Sequence, residues 1–158
     1  MSFVTKRACY GSARTSTKIA ELAAGTAIPN LIKSKMAANQ SGAAGTVRTI
    51  NTGEATFSTV CAQVGYSMAL ADLNTGGGCT AGAGIIDTVL AGGTKSGYTF
   101  TEAGGAAVGG VNTTFTARAA PVTLGSSGQN MYCSDQLGVI RFDPSGKGCT
   151  NASLPIGN

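Results

Sequence analysis

From Ile28 to Val64 the chain carries one long helical signature. Val47, Ile50, Phe57, Cys61 and Val64 recur at steps of three, four and seven. They therefore fall on one stripe of an α-helix, and such a stripe must be buried against something. Glu54 interrupts the stripe, while Arg48, Asn51, Thr52 and Ser58 occupy the other faces. Pro29 lies inside otherwise helical sequence, where it removes a backbone donor and crowds the preceding turn. Alanine, methionine and lysine on both sides favour helix, so a kink is expected there and not a stop. The expectation is a long kinked N-terminal helix, reaching to about Gly65, whose C-terminal half packs on a small domain.

The second half changes period. Tyr98 and Phe100, then Phe115 and Ala117, alternate with Thr99, Thr101, Thr114 and Thr116, which is the mark of half-buried antiparallel strands. Asn130 to Ser134 and Val139 to Phe142 flank Asp135-Gln136-Leu137-Gly138, which reads as a hairpin. Val122 to Leu124 extends the second strand in this reading. Between helix and strands, Ala69 to Leu73 and Ile85 to Leu90 are short helical turns, and Gly76 to Gly78 interrupts regular structure. The tail from Asp143 reads as loop. A long helix on an antiparallel sheet of three or four strands is an α+β architecture, with residues 1–40 as a basic segment and helix and residues 41–158 as a globular head.

Composition narrows the function. The chain has 24 glycines, only 11% charged residues, and neither His nor Trp, a balance that suits a secreted or surface protein with many turns. Without His the commonest general base and a common metal ligand are both missing, and no nucleophile–base pair stands out. Asp135 with Asp143 falls short of the six or more oxygens that calcium takes, and both read as turn formers. The glycines from Gly76 to Gly84 lack the P-loop pattern. No catalytic residue, cofactor or metal is expected. Tyr66, Tyr98, Tyr132, Phe57, Phe100, Phe115 and Phe142 read as packing residues, since aromatics make up only 6% of the chain and a stacked path for electrons needs more. Asn112-Thr113-Thr114 and Asn151-Ala152-Ser153 have the glycosylation-acceptor pattern, which also arises by chance.

Charge is concentrated at one end. Residues 1–35 carry Lys6, Arg7, Arg14, Lys18, Lys33 and Lys35 against Glu21, a net of +5, and the rest of the chain has a net of −1. The basic segment lacks interleaved aromatics and a binding motif, so no specific nucleic-acid partner is expected. Residues 1–18 also lack the apolar run of a signal peptide, and Ile19 to Leu31 is too polar for a membrane span of about twenty apolar residues. The five cysteines are Cys9, Cys61, Cys79, Cys133 and Cys149. They fit two disulfides and one spare thiol in an oxidising compartment. Cys61 with Cys79 would staple the helix end to the following loop and Cys133 with Cys149 would close the last loop, but spacing leaves the connectivity open. Cys9 is then the odd thiol.

Several stretches are familiar together: Ile28-Pro29-Asn30-Leu31, Arg48-Thr49-Ile50-Asn51-Thr52, Lys95-Ser96-Gly97-Tyr98-Thr99-Phe100 and Asp135 to Arg141. From about Ala27 to Asp143 the chain closely resembles the bacterial type IV pilins with small glycine-rich heads. The resemblance implies the pilin fold and a structural, non-enzymatic subunit of an extracellular, cell-surface pilus serving adhesion, motility or DNA uptake. It further implies leader removal and an N-methylated mature N-terminus. Before assembly the subunit would reside in the inner membrane and meet the pilus assembly machinery, and it would then stack with copies of itself through N-terminal helices into a helical filament. Pro29 would be the family's helix-kinking proline, and Cys133 with Cys149 would bound its disulfide-closed C-terminal loop. Counting back from Pro29, the family's mature first residue falls near Ala8 and its conserved-position glutamate near Ser12, and neither residue type matches. Two alternatives stand beside this reading: a type II secretion pseudopilin, usually a calcium binder, and a soluble secreted pilin-like binding module.

Overall fold

The structure, a computed structural model, describes the backbone of residues 15–157 and the side chains of residues 28–157. Cys9, Ala8, Ser12 and the basic residues before Thr15 lie outside the described residues. The long helix α1 spans Thr15–Val60, 46 residues, about four times the mean helix length. It continues through Pro29, where the missing N–H leaves the Gly25 carbonyl without its helical donor. Two compact units divide the chain between Ser34 and Lys35.

In the unit from Lys35 onward, the expected stripe is the core. Val47, Ile50, Phe57 and Cys61 are fully buried, Ala43 joins them, and the stripe includes Glu54, which does not interrupt it but lies inside. The helix stops at Val60, five residues earlier than expected. Cys61 to Val64 form a turn, in which Val64 is half-buried, and Tyr66 N donates to Asn112 O at 3.0 Å. The exposed face of α1 is rich in threonine. Thr46, Thr49, Thr52, Thr56 and Thr59 each donate a hydroxyl to the carbonyl four residues back, so these side chains are satisfied within their own helix.

The connecting segment holds two four-residue helices, α2 (Asp72–Thr75) and α3 (Thr88–Ala91). Both start three residues later than the sequence reading placed them, and an acidic side chain caps the start of α3 but not that of α2. Asp72 accepts from Met68 N and Ala69 N, and Asp87 caps α3 by accepting from Leu90 N at 2.8 Å.

The antiparallel sheet has six strands, not three or four, in the order β1-β2-β5-β6-β7-β8. Its strands are β1 (Thr94–Lys95), β2 (Tyr98–Gly104), β5 (Phe115–Pro121), β6 (Met131–Asp135), β7 (Arg141–Asp143) and β8 (Leu154–Pro155). A second hairpin, β3 (Ala107–Val108) with β4 (Val111–Asn112), occupies the glycine-rich turn between β2 and β5. The extra edge strands have local causes. β1 pairs with β2 across Ser96-Gly97, whose φ angles of 51° and 76° make a two-residue hairpin turn of the kind that matches strand twist. β8 lies in the tail that reads as loop, and it pairs with β7. Val122 to Leu124 does not extend β5, which ends at Pro121.

Along β2 and β5 the alternation holds residue by residue. Tyr98, Phe100 and Glu102 face inward from β2, and Phe115, Ala117 and Ala119 from β5. The apolar inner residues and the apolar members of the α1 stripe form a single hydrophobic cluster with Leu73, Ile86, Leu90 and Tyr132. The small residues Ala117 and Ala119 lie on β5, between β2 and β6, where little side-chain volume is needed to let a helix approach a sheet.

Candidate functional site

Three features carry the chemistry of this molecule: an exposed helical row, two cross-links and a buried carboxyl pair. Ile28, Leu31 and Ile32 follow the i, i+3, i+4 spacing of one helix face, and they are 63%, 70% and 45% exposed. Lys33 and Lys35 are exposed beside them. Ile28, Leu31 and Ile32 together place three large aliphatic side chains on one exposed helix face. Among the described side chains, the first on the helix to bond a distant loop is Asn39, which donates to Ser127 O at 2.8 Å.

Both disulfides form: Cys61 with Cys79 and Cys133 with Cys149. The first ties the turn directly after α1 to the connecting segment. There the chain passes so close that a Cβ on Gly82 would meet Phe57 Cε2 at 2.5 Å and Cys61 Sγ at 2.8 Å, so only glycine fits. The second ties β6 to the C-terminal segment. Closing loops of 18 and 16 residues stabilises each by about 3 kcal/mol in the chain-entropy account.

The third feature was not singled out in the sequence reading. Glu54 on α1 is fully buried, Glu102 on β2 is 8% exposed, and the side chain of Ser67 lies between them. Ser67 N donates to Glu54 Oε2 at 3.0 Å. Ser67 Oγ is 2.5 Å from Glu54 Oε1 and 2.8 Å from Glu102 Oε2, while Glu102 Oε1 is buried with no partner. Burial raises both carboxyls, and the neighbouring Glu54 charge helps to push Glu102 up to about 8. A sequence signal for it did exist. Glu102 continues the inward alternation of Tyr98 and Phe100, and Glu54 lies on the helix stripe.

The remaining sequence candidates resolve into structural roles. Asp135 Oδ1 accepts from Leu137 N at the β6–β7 turn. Asp143 accepts from the Ser145 hydroxyl and from the amides of Ser145, Lys147 and Gly148, bonds that hold its carboxyl down at about 2. Among the described residues no group of three or more His, Cys, Asp or Glu is placed to hold a metal. The aromatics form separate pairs, Tyr66 with Phe115 at 4.9 Å and Tyr98 with Tyr132 at 6.1 Å between ring centroids. Asn112 is buried and donates to Tyr66 O, whereas Asn151 is exposed in a turn.

Recesses open on the surface of the described residues. One, of about 580 Å³, runs along α1 past Gly45, Arg48, Thr49 and Thr52 to Ile85, and its threonine hydroxyls are already bonded to helix carbonyls. Another, of about 140 Å³, lies between Asn51, Tyr66, Phe115 and the β6–β7 turn. There Asn51 Nδ2 donates to Ser134 Oγ at 2.8 Å and ties the helix to the hairpin. Among the described residues no helix is long and apolar enough to cross a membrane. No family model, curated protein or solved structure matches the chain.

Proposed function

We propose that this chain is a structural subunit of an extracellular type IV pilus filament, assembled through its N-terminal helix and without enzymatic activity. The observation that carries the reading is the row Ile28, Leu31 and Ile32, aliphatic and exposed on one helix face. It includes the Ile-Pro-Asn-Leu segment in which the chain resembles type IV pilins. Burying such a row against neighbouring copies stabilises a fibre by about 25 cal/mol per Å² of apolar area. A head closed by two disulfides suits a protein that works outside the cell. The pilin fold, the cell-surface location and residence in the inner membrane before assembly belong to the same proposal.

Negative-stain electron microscopy of the full chain under filament-favouring conditions tests it. Ordered fibres of the wild type and their loss in Leu31→Asp are expected, because a buried carboxylate at each subunit contact is costly. Wild-type protein that stays monodisperse under the same conditions overturns the filament reading in favour of a pilin-like binding module. Fibres that require calcium favour the pseudopilin.

A further inference from the structure

The hydroxyl of Ser67 has one proton and three acceptors around it: Glu54 Oε1 at 2.5 Å, Glu102 Oε2 at 2.8 Å and Ala69 O at 3.3 Å. If both carboxyls were ionised, that single proton could serve one contact, and the others would bring bare oxygen lone pairs together inside the core. A carboxylate pair around one hydroxyl is satisfied only when one of the two acids keeps its proton.

We propose that Glu54, Ser67 and Glu102 form a proton-holding clasp between α1 and β2, closed while the two carboxyls share one proton and weakened when alkaline pH removes it.

The hydrogen-bond inventory assigns the proton. Glu54 receives both the amide and the hydroxyl of Ser67, two donors that favour the anion. Glu102 has the Ser67 hydroxyl oxygen beside Oε2 and nothing beside Oε1. A neutral Glu102 donates from Oε2 to Ser67 Oγ, and Ser67 donates onward to Glu54. The chain of donors then closes, and the orphaned Oε1 is the carbonyl oxygen of an acid, cheaper to bury than half of a carboxylate.

Among the described residues no cation is paired with either carboxyl. From α2, Asp72 adds a further negative charge. β5 presents Ala117 opposite Glu102, and Ser134 of β6 stands opposite Ala117. Arg118 of β5 is on the exposed face, and the ion pair found among the described residues is Lys95 with Asp87.

The clasp joins the middle of the buried helix stripe to the inner face of the sheet, so its protonation is linked to the packing of one on the other. Glu102 binds its proton more tightly in the folded chain than in the unfolded one. The stability it confers is therefore complete below the ordinary carboxylate range and drains as pH rises toward about 8. For one proton the folding equilibrium constant falls by up to about tenfold per pH unit across that window.

The test is denaturant unfolding of the full chain at intervals from pH 5 to pH 9, in the wild type and in Glu102→Gln. The amide keeps the shape and can still donate to Ser67 Oγ, but it does not titrate. Expected is a wild-type midpoint that falls with rising pH and a Glu102→Gln midpoint that stays nearly level. Parallel curves overturn the proposal. Carboxyl carbon resonances of Glu-labelled wild type give a second reading that does not depend on the variant folding. A buried glutamate still protonated at pH 6 and titrating toward 8 supports the clasp, and ionised signals for both Glu54 and Glu102 at pH 6 overturn it.

Discussion

Two stretches of α1 carry the same three-and-four spacing and meet opposite fates. Ile28, Leu31 and Ile32 are exposed, whereas Ala43, Val47, Ile50, Glu54 and Phe57, with Cys61 just past the helix end, are buried, a carboxyl among them. Periodicity states that a helix has a face to cover and is silent on what covers it. The second stretch is covered by its own chain, through the inner residues of β2 and β5. The first has large aliphatic side chains open to solvent, and in the proposed filament reading that contrast separates a head that holds itself together from a row for a neighbour to cover.

The contrast breaks first at Phe57. Its ring is fully buried and Gly82 closes directly on it. Phe57→Ala leaves a cavity that the rigid Gly82 approach and the adjacent disulfide keep from collapsing. A loss of about 3 to 5 kcal/mol is expected, read as a fall in the thermal midpoint of roughly 10 °C or more. A loss under 1 kcal/mol would mean that the stripe is not the core.

Next in size is the cross-link at the end of that stripe. Cys61→Ala with Cys79→Ala frees an 18-residue loop and is expected to cost about 3 kcal/mol, measured by chemical unfolding of the double variant against wild type. The effect sharpens the comparison, because it acts on the buried stretch while leaving the exposed row unaltered. Filament formation under conditions where the double variant stays folded should persist.

The first of these tests falls on a feature that was legible in the sequence, and the reason is physical. Val47, Ile50 and Phe57 repeat over several turns, and Tyr98, Phe100, Phe115 and Ala117 alternate with threonines over seven-residue strands. Both are long enough for a period to show. β1, β3, β4 and β8 have two residues each, too few for any period, and they exist because turns and neighbouring strands place them. Of these, β1 and β8 widen the main sheet beyond three or four strands, while β3 and β4 pair with each other. The pairing of cysteines needed the fold, since spacing alone permits other partners. Glu54 was misjudged for a different reason. A carboxylate in a stripe reads as a break because burying a lone charge is costly, and the compensation comes from Ser67 and Glu102, distant in sequence. The polar exceptions to a core pattern have their explanation in tertiary contacts that no local window contains.

The smallest effect is the one that separates the two stretches most cleanly. Leu31 is 70% exposed, so truncating it removes little buried surface and opens no cavity. In dilute, dispersed subunits Leu31→Ala should shift stability by no more than about 0.5 kcal/mol, the usual range for surface positions, as judged by chemical unfolding. In the proposed filament the same truncation should still weaken fibres, because every subunit contact would lose the same side chain. A Leu31→Ala protein destabilised in the monomer as strongly as Phe57→Ala would show that the row is covered by its own chain in solution. The two stretches would then be one core, and assembly would need another surface.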